Sequence, residues 1–244
     1  MGRRAVPLDT GTTQIPEGSC AACTRWILAP LDSVGLNAAG ASAARAAWRT
    51  TVLETWGVCG QVLLDGPRDA QRPVGVVTYA PAALLPGLAA LPTAPPAREA
   101  VVMVDLVVTD VMPAVVGAKL LVQAMAKDLV RREIALVETF ADARLPLDAG
   151  ADGCHHSQAL LEGVGFAVQR PHARHPRMRL DLRTALTWLD EVGQALGRVR
   201  GGLAPQPRPH PHGAPRDLGT QHEAARTAHA VPDRLREAGG TGLR

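Results

Sequence analysis

The sequence predicts an α/β fold in which a mixed, mostly antiparallel sheet is flanked by helices. Short valine-rich runs such as "PVGVVTYAP" and "AVVMVDLVV" are typical of strands, and segments with apolar residues at helical spacing lie between them. A charged turn, "GPRDAQRP", separates two strand-like runs, as in an antiparallel hairpin. The strand, helix, strand order from Ala100 to Phe140 requires a parallel relation with a right-handed crossover.

In chain order, the first predicted helix spans 41–56. One of its faces carries Ala44, Ala47, Trp48, Val52 and Trp56. "GQVLLDG" and "PVGVVTYAP" form the hairpin, and "AVVMVDLVV" is a third strand whose nearly continuous valines predict burial on both faces. A second helix follows, with the apolar positions Leu120, Leu121, Ala124, Met125, Leu129 and Val130.

The remaining elements are shorter. "IALVETF" is a fourth strand, and "SQALLEGVGF" is a short helix that Ser157 caps and that Gly163 or Gly165 ends. "HPRMRLDL" alternates arginines with apolar residues, as a half-buried strand does, and precedes a helix from about Thr184 to Val199. We therefore expect a flexible leader at 1–18, one folded domain at 19–200 and a mostly disordered, proline-rich tail at 201–244.

Composition limits the partners. The 26 Lys and Arg residues exceed the 23 Asp and Glu residues by only three, too few to indicate a nucleic acid or an anionic membrane. No apolar run of about 18 residues is free of charge or proline, and the amino terminus lacks the apolar middle of a signal peptide, so we expect a cytoplasmic protein. The arginine-rich run "QRPHARHPRMRLDLR" lacks aromatics for base stacking, and we interpret it as a solvated strand face.

The cysteines allow three interpretations. Cys20 and Cys23 have the spacing of two zinc ligands, and Cys154 with His155 or His156 could complete a site. A redox pair would need a preceding strand, which "CAACTRWILAP" lacks. We favour reduced thiols in the core, Cys59 among them, and therefore predict no metal.

The stretch "TDVMPAVVGAKLL", 109–121, occupies the place of a strand-to-helix turn. Such turns bind phosphates through backbone N–H groups and the helix dipole, and glycines let the ligand come close. This turn has a single glycine, Gly117, and Pro113 supplies no N–H. It is either an altered phosphate site or only a connection.

The element order around "VVMVDLVVTDVMPAVVGAKLLVQAMAKDLVRR" and "ALLEGVGFAVQRP" resembles the GNAT acyltransferase superfamily from about Arg25 to Leu182. In that family, Arg/Gln-x-x-Gly-x-Gly/Ala at this turn binds the pyrophosphate of acetyl-CoA. An ungapped alignment places the motif on 113–118, where only Ala118 fits; a shift of one residue fits Gly117 but puts Lys119 where a small residue is expected. The Gly-Phe pair at Gly165 and Phe166 is kept.

The resemblance implies a splayed parallel strand pair and a set of cofactor-binding positions. Those on the strand are Val107 and Val108, and those after the turn are Val115, Gly117, Ala118 and Lys119. The family's strand glutamate is replaced by Val104, and its tyrosine is missing. Asp105 is then the first candidate base, because a carboxylate in an apolar run should have a raised pKa, and Glu138 is the second. Cys154, His155 and His156 are possible proton carriers.

The sequence thus predicts an acyl-CoA-dependent N-acyltransferase that moves an acetyl group from acetyl-CoA to an amine acceptor. Zinc is the less favoured addition, and self-association as a homodimer is left open. The first alternative is a GNAT-shaped binding or regulatory module without turnover, which the altered turn and the missing tyrosine favour. The second is an adaptor whose Pro/His-rich tail recruits a partner.

Overall fold

A computed structural model of the chain describes residues 2–10, 15–16, 23–147 and 156–184. The chain divides into two compact units, 1–203 and 204–244, and every described residue belongs to the first. The predicted tail, the helix predicted from Thr184 to Val199 apart from its start, and Cys20, Cys154 and His155 lie outside the described residues.

The strands and helices alternate as the sequence predicts. Their bounds are β1 Arg4–Pro7, α1 Ala38–Trp56, β2 Gly60–Asp65, β3 Arg72–Pro81, β4 Val101–Val108, α2 Ala114–Arg131, β5 Leu136–Asp142, β6 His156–Ser157, α3 Gln158–Gly163, β7 Ala167–Arg170 and β8 Arg177–Asp181. Within the described ranges, no helix is long and apolar enough to cross a membrane.

One mixed sheet organises these elements, with the strand order β1-β2-β3-β4-β5-β8-β7. Neighbours along this path run antiparallel, except β4 and β5, which are parallel as the crossover through α2 requires. The short strand β6 pairs in parallel with the end of β5. The predicted mixed, mostly antiparallel sheet is therefore confirmed.

The first strand departs from the prediction of a flexible leader at 1–18. Strand β1 pairs with β2 from Arg4↔Leu64 to Pro7↔Gln61, and the buried Leu8 extends the pairing through its amide to the Gly60 carbonyl at 2.8 Å. The apolar stretch is only a few residues long, so it shows no periodicity of its own. It becomes a strand because β2 offers it an edge.

Apolar side chains cover both faces of the sheet, as the valine run of β4 predicts. Val101, Met103 and Leu106 pack with α2 and α3 in one core. Val102, Val104 and Val107 face the other core, which α1 covers with Trp48 and Val52.

The predicted start and end of the short helix α3 are also confirmed. The Ser157 hydroxyl caps α3 by accepting from the Leu160 amide at 3.4 Å, and α3 ends at Gly163.

Candidate functional site

Strand β4 separates from β5 after two residue pairs. It pairs with β5 only at Val101↔Val137 and Val102↔Glu138, whereas its pairing with β3 continues to Val108. Opposite β3, the register passes from Met103 to Asp105, so that Val104 is the extra residue of a β-bulge. A bulge bends its strand and interrupts the ladder, which accounts for the divergence.

We call the region between the diverging strands the wedge, and β4 residues 103–108 and β5 residues 139–142 bound it. Its narrow end is bridged by the Thr139 hydroxyl, which donates to the Met103 carbonyl at 2.9 Å. Further along, β6 pairs with β5 at Ala141↔His156 on the edge that β4 has left. Along the rest of β4, the edge that faces the wedge pairs with no described strand.

The turn from β4 to α2 leaves a few backbone donors free. Thr109 uses its amide and its hydroxyl on the Val74 carbonyl, at 3.0 and 3.1 Å. Helix α2 begins at Ala114, and the amides of Val116 and Gly117 both donate to the Pro113 carbonyl, at 2.9 and 3.2 Å.

The amides of Val111, Ala114 and Val115 donate no hydrogen bond to any described residue. This corrects the expected set of backbone donors at Val115, Gly117, Ala118 and Lys119, of which only Val115 remains. Because α2 starts three residues before Gly117, the amides of the later positions belong to the helix's own ladder.

Gly117 serves packing rather than ligand approach. A Cβ at this position would lie 2.4 Å from Val108 Cγ1 and 3.0 Å from Met112 Sδ. The glycine therefore lets the first turn of α2 lie directly on β4. Val115 packs against the same core, and Val116 is 40% exposed at the helix start.

Asp105, the first predicted base, is held in a buried ion pair. Its Oδ2 atom accepts from the Arg45 guanidinium and from the Thr78 hydroxyl, the latter at 2.7 Å. Arg45 comes from the face of α1 that was predicted to be apolar, and it also donates to the Cys23 carbonyl at 3.0 Å. The bulge turns Asp105 towards α1, where it finds this partner, so its carboxylate is not open to a substrate.

Glu138, the second predicted base, is fully buried and also paired. It accepts from the Ala97 amide at 2.8 Å and from Arg179 at 2.9 Å, and Arg177 lies 3.6 Å from it. The interpretation of the arginine run as a solvated strand face is therefore wrong for Arg177, which is buried and also bonds Gln169. The alternation of arginines with apolar residues in β8 does not show from sequence alone that these arginines contact Glu138.

His156 begins β6, the short strand that pairs with the end of β5 beside the wedge. Its ring is buried, and Nε2 has no hydrogen-bond partner in the described structure. Burial lowers the pKa of His156 to about 4, so the ring is neutral at neutral pH. The sequence placed His156 among several possible proton carriers, and the fold places this one beside the end of β5.

The cysteines differ from the prediction. Cys23 is disulfide-bonded rather than a thiol, and its partner lies outside the described residues, since Cys59 is free. Cys59 is buried as predicted, and burial raises the pKa of its thiol to about 11. Among the residues that the structure describes, no group of three or more His, Cys, Asp or Glu side chains could hold a metal ion.

The chain has a mixed sheet with a parallel β4–β5 pair, a bulge in β4 and flanking helices, which is the fold class that the sequence resemblance implies. No family model matches the chain, and no curated protein does.

Solved acetyltransferase structures are similar to it. A chain of the NatC complex bound to Gag peptide and CoA is 15% identical with a TM-score of 0.42, over 74% of this chain and 99% of that one. The ribosomal-protein-S18-alanine N-acetyltransferase from Escherichia coli is 13% identical with a TM-score of 0.40, over 74% and 94%. A GNAT family N-acetyltransferase from Escherichia coli in complex with CoA is 18% identical with a TM-score of 0.37, over 75% and 83%. These likenesses concern the fold alone.

Proposed function

We propose that the protein is an acyl-CoA-dependent N-acyltransferase that transfers an acyl group, acetyl in the simplest case, to an amine. The observation that carries the proposal is the departure of β4 from β5 after Val102. Strand edges inside a fold are costly when their N–H and C=O groups lack partners. A ligand with amide groups of its own would pair with this edge and recover that cost.

The residues present fit such a ligand in three places. The free amides of Val111, Ala114 and Val115, with the dipole of α2, would hold the pyrophosphate. The backbone of Val107 and Val108 would pair with the pantetheine amides. Lys119, in the second turn of α2, would add positive charge at this end of the helix. When bound, the CoA thioester supplies an activated acyl group, and the chain has only to position it and move one proton.

The alternative is a GNAT-like module that binds without turnover, and one set of contacts favours it. Asp105 and Glu138 are both tied in buried ion pairs. Tyr79, the one tyrosine of the chain, accepts from Gln61 and donates to Asp128 within the core. These three side chains are therefore bound to protein groups rather than available to a substrate.

The first test is acetyl-CoA binding by calorimetry, with Val116→Glu as the critical variant. Val116 is exposed in the first turn of α2, so a carboxylate there favours the helix by about 0.3–1 kcal/mol but repels a bound pyrophosphate. We expect V116E to keep or raise the melting temperature and to weaken acetyl-CoA binding by about fivefold to tenfold. V116Q is the matched neutral control and should bind like the wild type. Absence of binding by the wild type, or equal binding by V116E, would contradict the proposal.

The second test separates transfer from binding. Release of free thiol is measured with acetyl-CoA and a panel of primary amines that includes a peptide amino terminus, a lysine peptide, a polyamine and an aminoglycoside. Release above the amine-free rate supports the transferase. Binding without release across the panel supports the module.

A further inference from the structure

A cleft lies between the edge strand β1 and helix α2, away from the wedge. Ala5 of β1 is in register with Leu63 of β2, and the Leu63 side chain packs in the core beneath α2. Residues in register on antiparallel strands point to the same face, as do residues two apart on one strand. Arg3, Ala5 and Pro7 therefore face the side of the sheet that α2 covers, and between β1 and α2 a cavity of about 390 Å³ remains open.

This cleft carries positive charge that the fold does not balance. Among the described residues, four cations and no carboxylate line it: Arg3 and Arg4 from the strand side, Lys127 and Arg131 from α2. Two carboxylates lie nearby, but each is already paired, Asp65 with Arg3 at 3.1 Å and Asp128 with Arg131 at 3.3 Å. Lys127 is exposed and forms no ion pair or hydrogen bond with a described residue. The cleft is therefore a basic surface with room for an anion.

Protection of the sheet edge explains only part of this charge. Charged residues and proline on an edge strand hinder its pairing with other chains, and Arg4 and Pro7 of β1 are such residues. Lys127 and Arg131 belong to α2 and are four residues apart, so they lie on one side of that helix. Cations that face each other across a cleft repel, and a bound anion relieves that repulsion.

The basic surface is elongated, which indicates an extended ligand. A second cavity, of about 420 Å³, continues from the first, since Arg3 and Arg4 line both, and Arg68 lines the second from the turn between β2 and β3. Strand β1 ends the sheet, so the backbone groups on its outer side pair with no described strand. An extended peptide can pair with such an edge, and its alternate side chains then point to one face.

A nucleic acid fits the same surface less well. Single strands are held by base stacking on aromatic side chains as well as by cations. In the described part of the chain, no aromatic side chain lines either cavity. A free strand edge pairs with a peptide backbone, which a nucleic acid does not have.

We propose that this cleft binds an extended acidic segment of a partner protein. The segment adds to the outer edge of β1 and places alternate carboxylates against Arg3, Lys127 and Arg131. This site is separate from the proposed acyl-CoA site, because β1 lies three strands from β4, about 14 Å away. Its failure would leave the acyl-CoA proposal untouched.

The first test measures binding by fluorescence anisotropy, using the full chain and a labelled peptide of about eight residues that alternates glutamate with threonine. We expect the peptide to bind, with an affinity that falls as salt rises. Lys127→Glu should weaken binding by about fivefold to tenfold, because it replaces an attraction by a repulsion. Arg98→Glu makes the same change of charge at an exposed position outside both cavities, and it should bind like the wild type.

Several outcomes of this test would overturn the site. They are absence of peptide binding, equal binding by K127E and the wild type, and equal losses in K127E and R98E, which would show general charge attraction. A single-stranded oligonucleotide of the same charge is measured in parallel. If it binds more tightly than the peptide and loses affinity in K127E, the cleft is a nucleic-acid site instead.

The second test asks whether the bound peptide becomes a strand. Hydrogen exchange is followed by mass spectrometry with and without the peptide. We expect slower exchange of the amides at 4–6, because new strand hydrogen bonds protect the outer edge of β1. Binding without slower exchange in this segment would overturn the addition of a strand.

Discussion

At the residue scale, this chain stabilises its buried ionisable groups in two different ways. Asp105 accepts hydrogen bonds from Arg45 and Thr78, whereas burial lowers the pKa of His156 to about 4 and keeps its ring neutral at neutral pH. A paired charge loses stability when its partner is removed. A neutral histidine loses stability when the solution forces a proton onto it. The two groups therefore respond to different perturbations.

His156 should make stability depend on pH in a definite window. Its pKa is about 4 in the fold and about 6.5 in the unfolded chain, so the unfolded state binds more protons between these values. Stability is then present above pH 6.5 and is lost as the pH falls towards 4, by up to about 3 kcal/mol. Urea unfolding of wild type and H156Q at several pH values tests this. A difference between the two proteins that does not change across the window would contradict it.

The pair between Arg45 and Asp105 should behave as a buried ion pair. We expect Arg45→Met to lower the free energy of unfolding by about 3–5 kcal/mol, because it leaves the Asp105 carboxylate buried without its guanidinium. The double variant R45M/D105L should recover much of this loss, since apolar residues carry no desolvation penalty. Arg3→Ala, which removes an exposed pair with Asp65, serves as control and should change stability by less than about 1 kcal/mol. Additive losses in the double variant would show that the two side chains are not coupled.

At the element scale, the contact between α2 and β4 decides where the helix can start. The first turn of α2 lies on Val108 because Gly117 has no side chain. The amides of Ala114 and Val115 belong to this same first turn of α2. Gly117 thus serves helix–strand packing, and the amides that donate no hydrogen bond to a described residue lie earlier, at Ala114 and Val115.

Substitution of Gly117 measures that packing. In an open helix, Gly→Ala stabilises by about 1 kcal/mol, but here the new Cβ meets Val108, so we expect G117A to destabilise by about 1–2 kcal/mol. In a Val108→Ala background the same substitution should be neutral or stabilising. Chemical unfolding of the four proteins gives the coupling energy. Equal effects in both backgrounds would mean that the contact with Val108 is not what requires glycine.

At the scale of the whole molecule, the local sequence pattern predicted the helices and strands but not the contacts between them. The valine run of β4, the apolar stripe of α2 and the cap at Ser157 are properties of neighbouring residues, so the sequence shows them directly. The bulge at Val104 and the partners of Asp105 depend on register between strands that lie far apart in the chain. The pairing of His156 with the end of β5 was equally hidden, because β6 has only two residues. Sequence thus indicated candidate residues, and tertiary pairing decided which partners each of them has.

The amino-terminal segment gives the last prediction, since its strand completes the edge of the sheet. Strand β1 covers β2, and Leu8 is buried in the core beneath α1. Burial of a leucine contributes about 2–5 kcal/mol relative to alanine. Deletion of residues 2–9 should therefore lower the melting temperature clearly and, because the edge of β2 becomes exposed, promote aggregation. Leu8→Ala should reproduce most of the thermal loss without the aggregation, because it keeps the strand pairing. A truncated protein as stable and monomeric as the full chain would show that 1–18 is the flexible leader that the sequence predicted, and that β1 adds nothing to the fold.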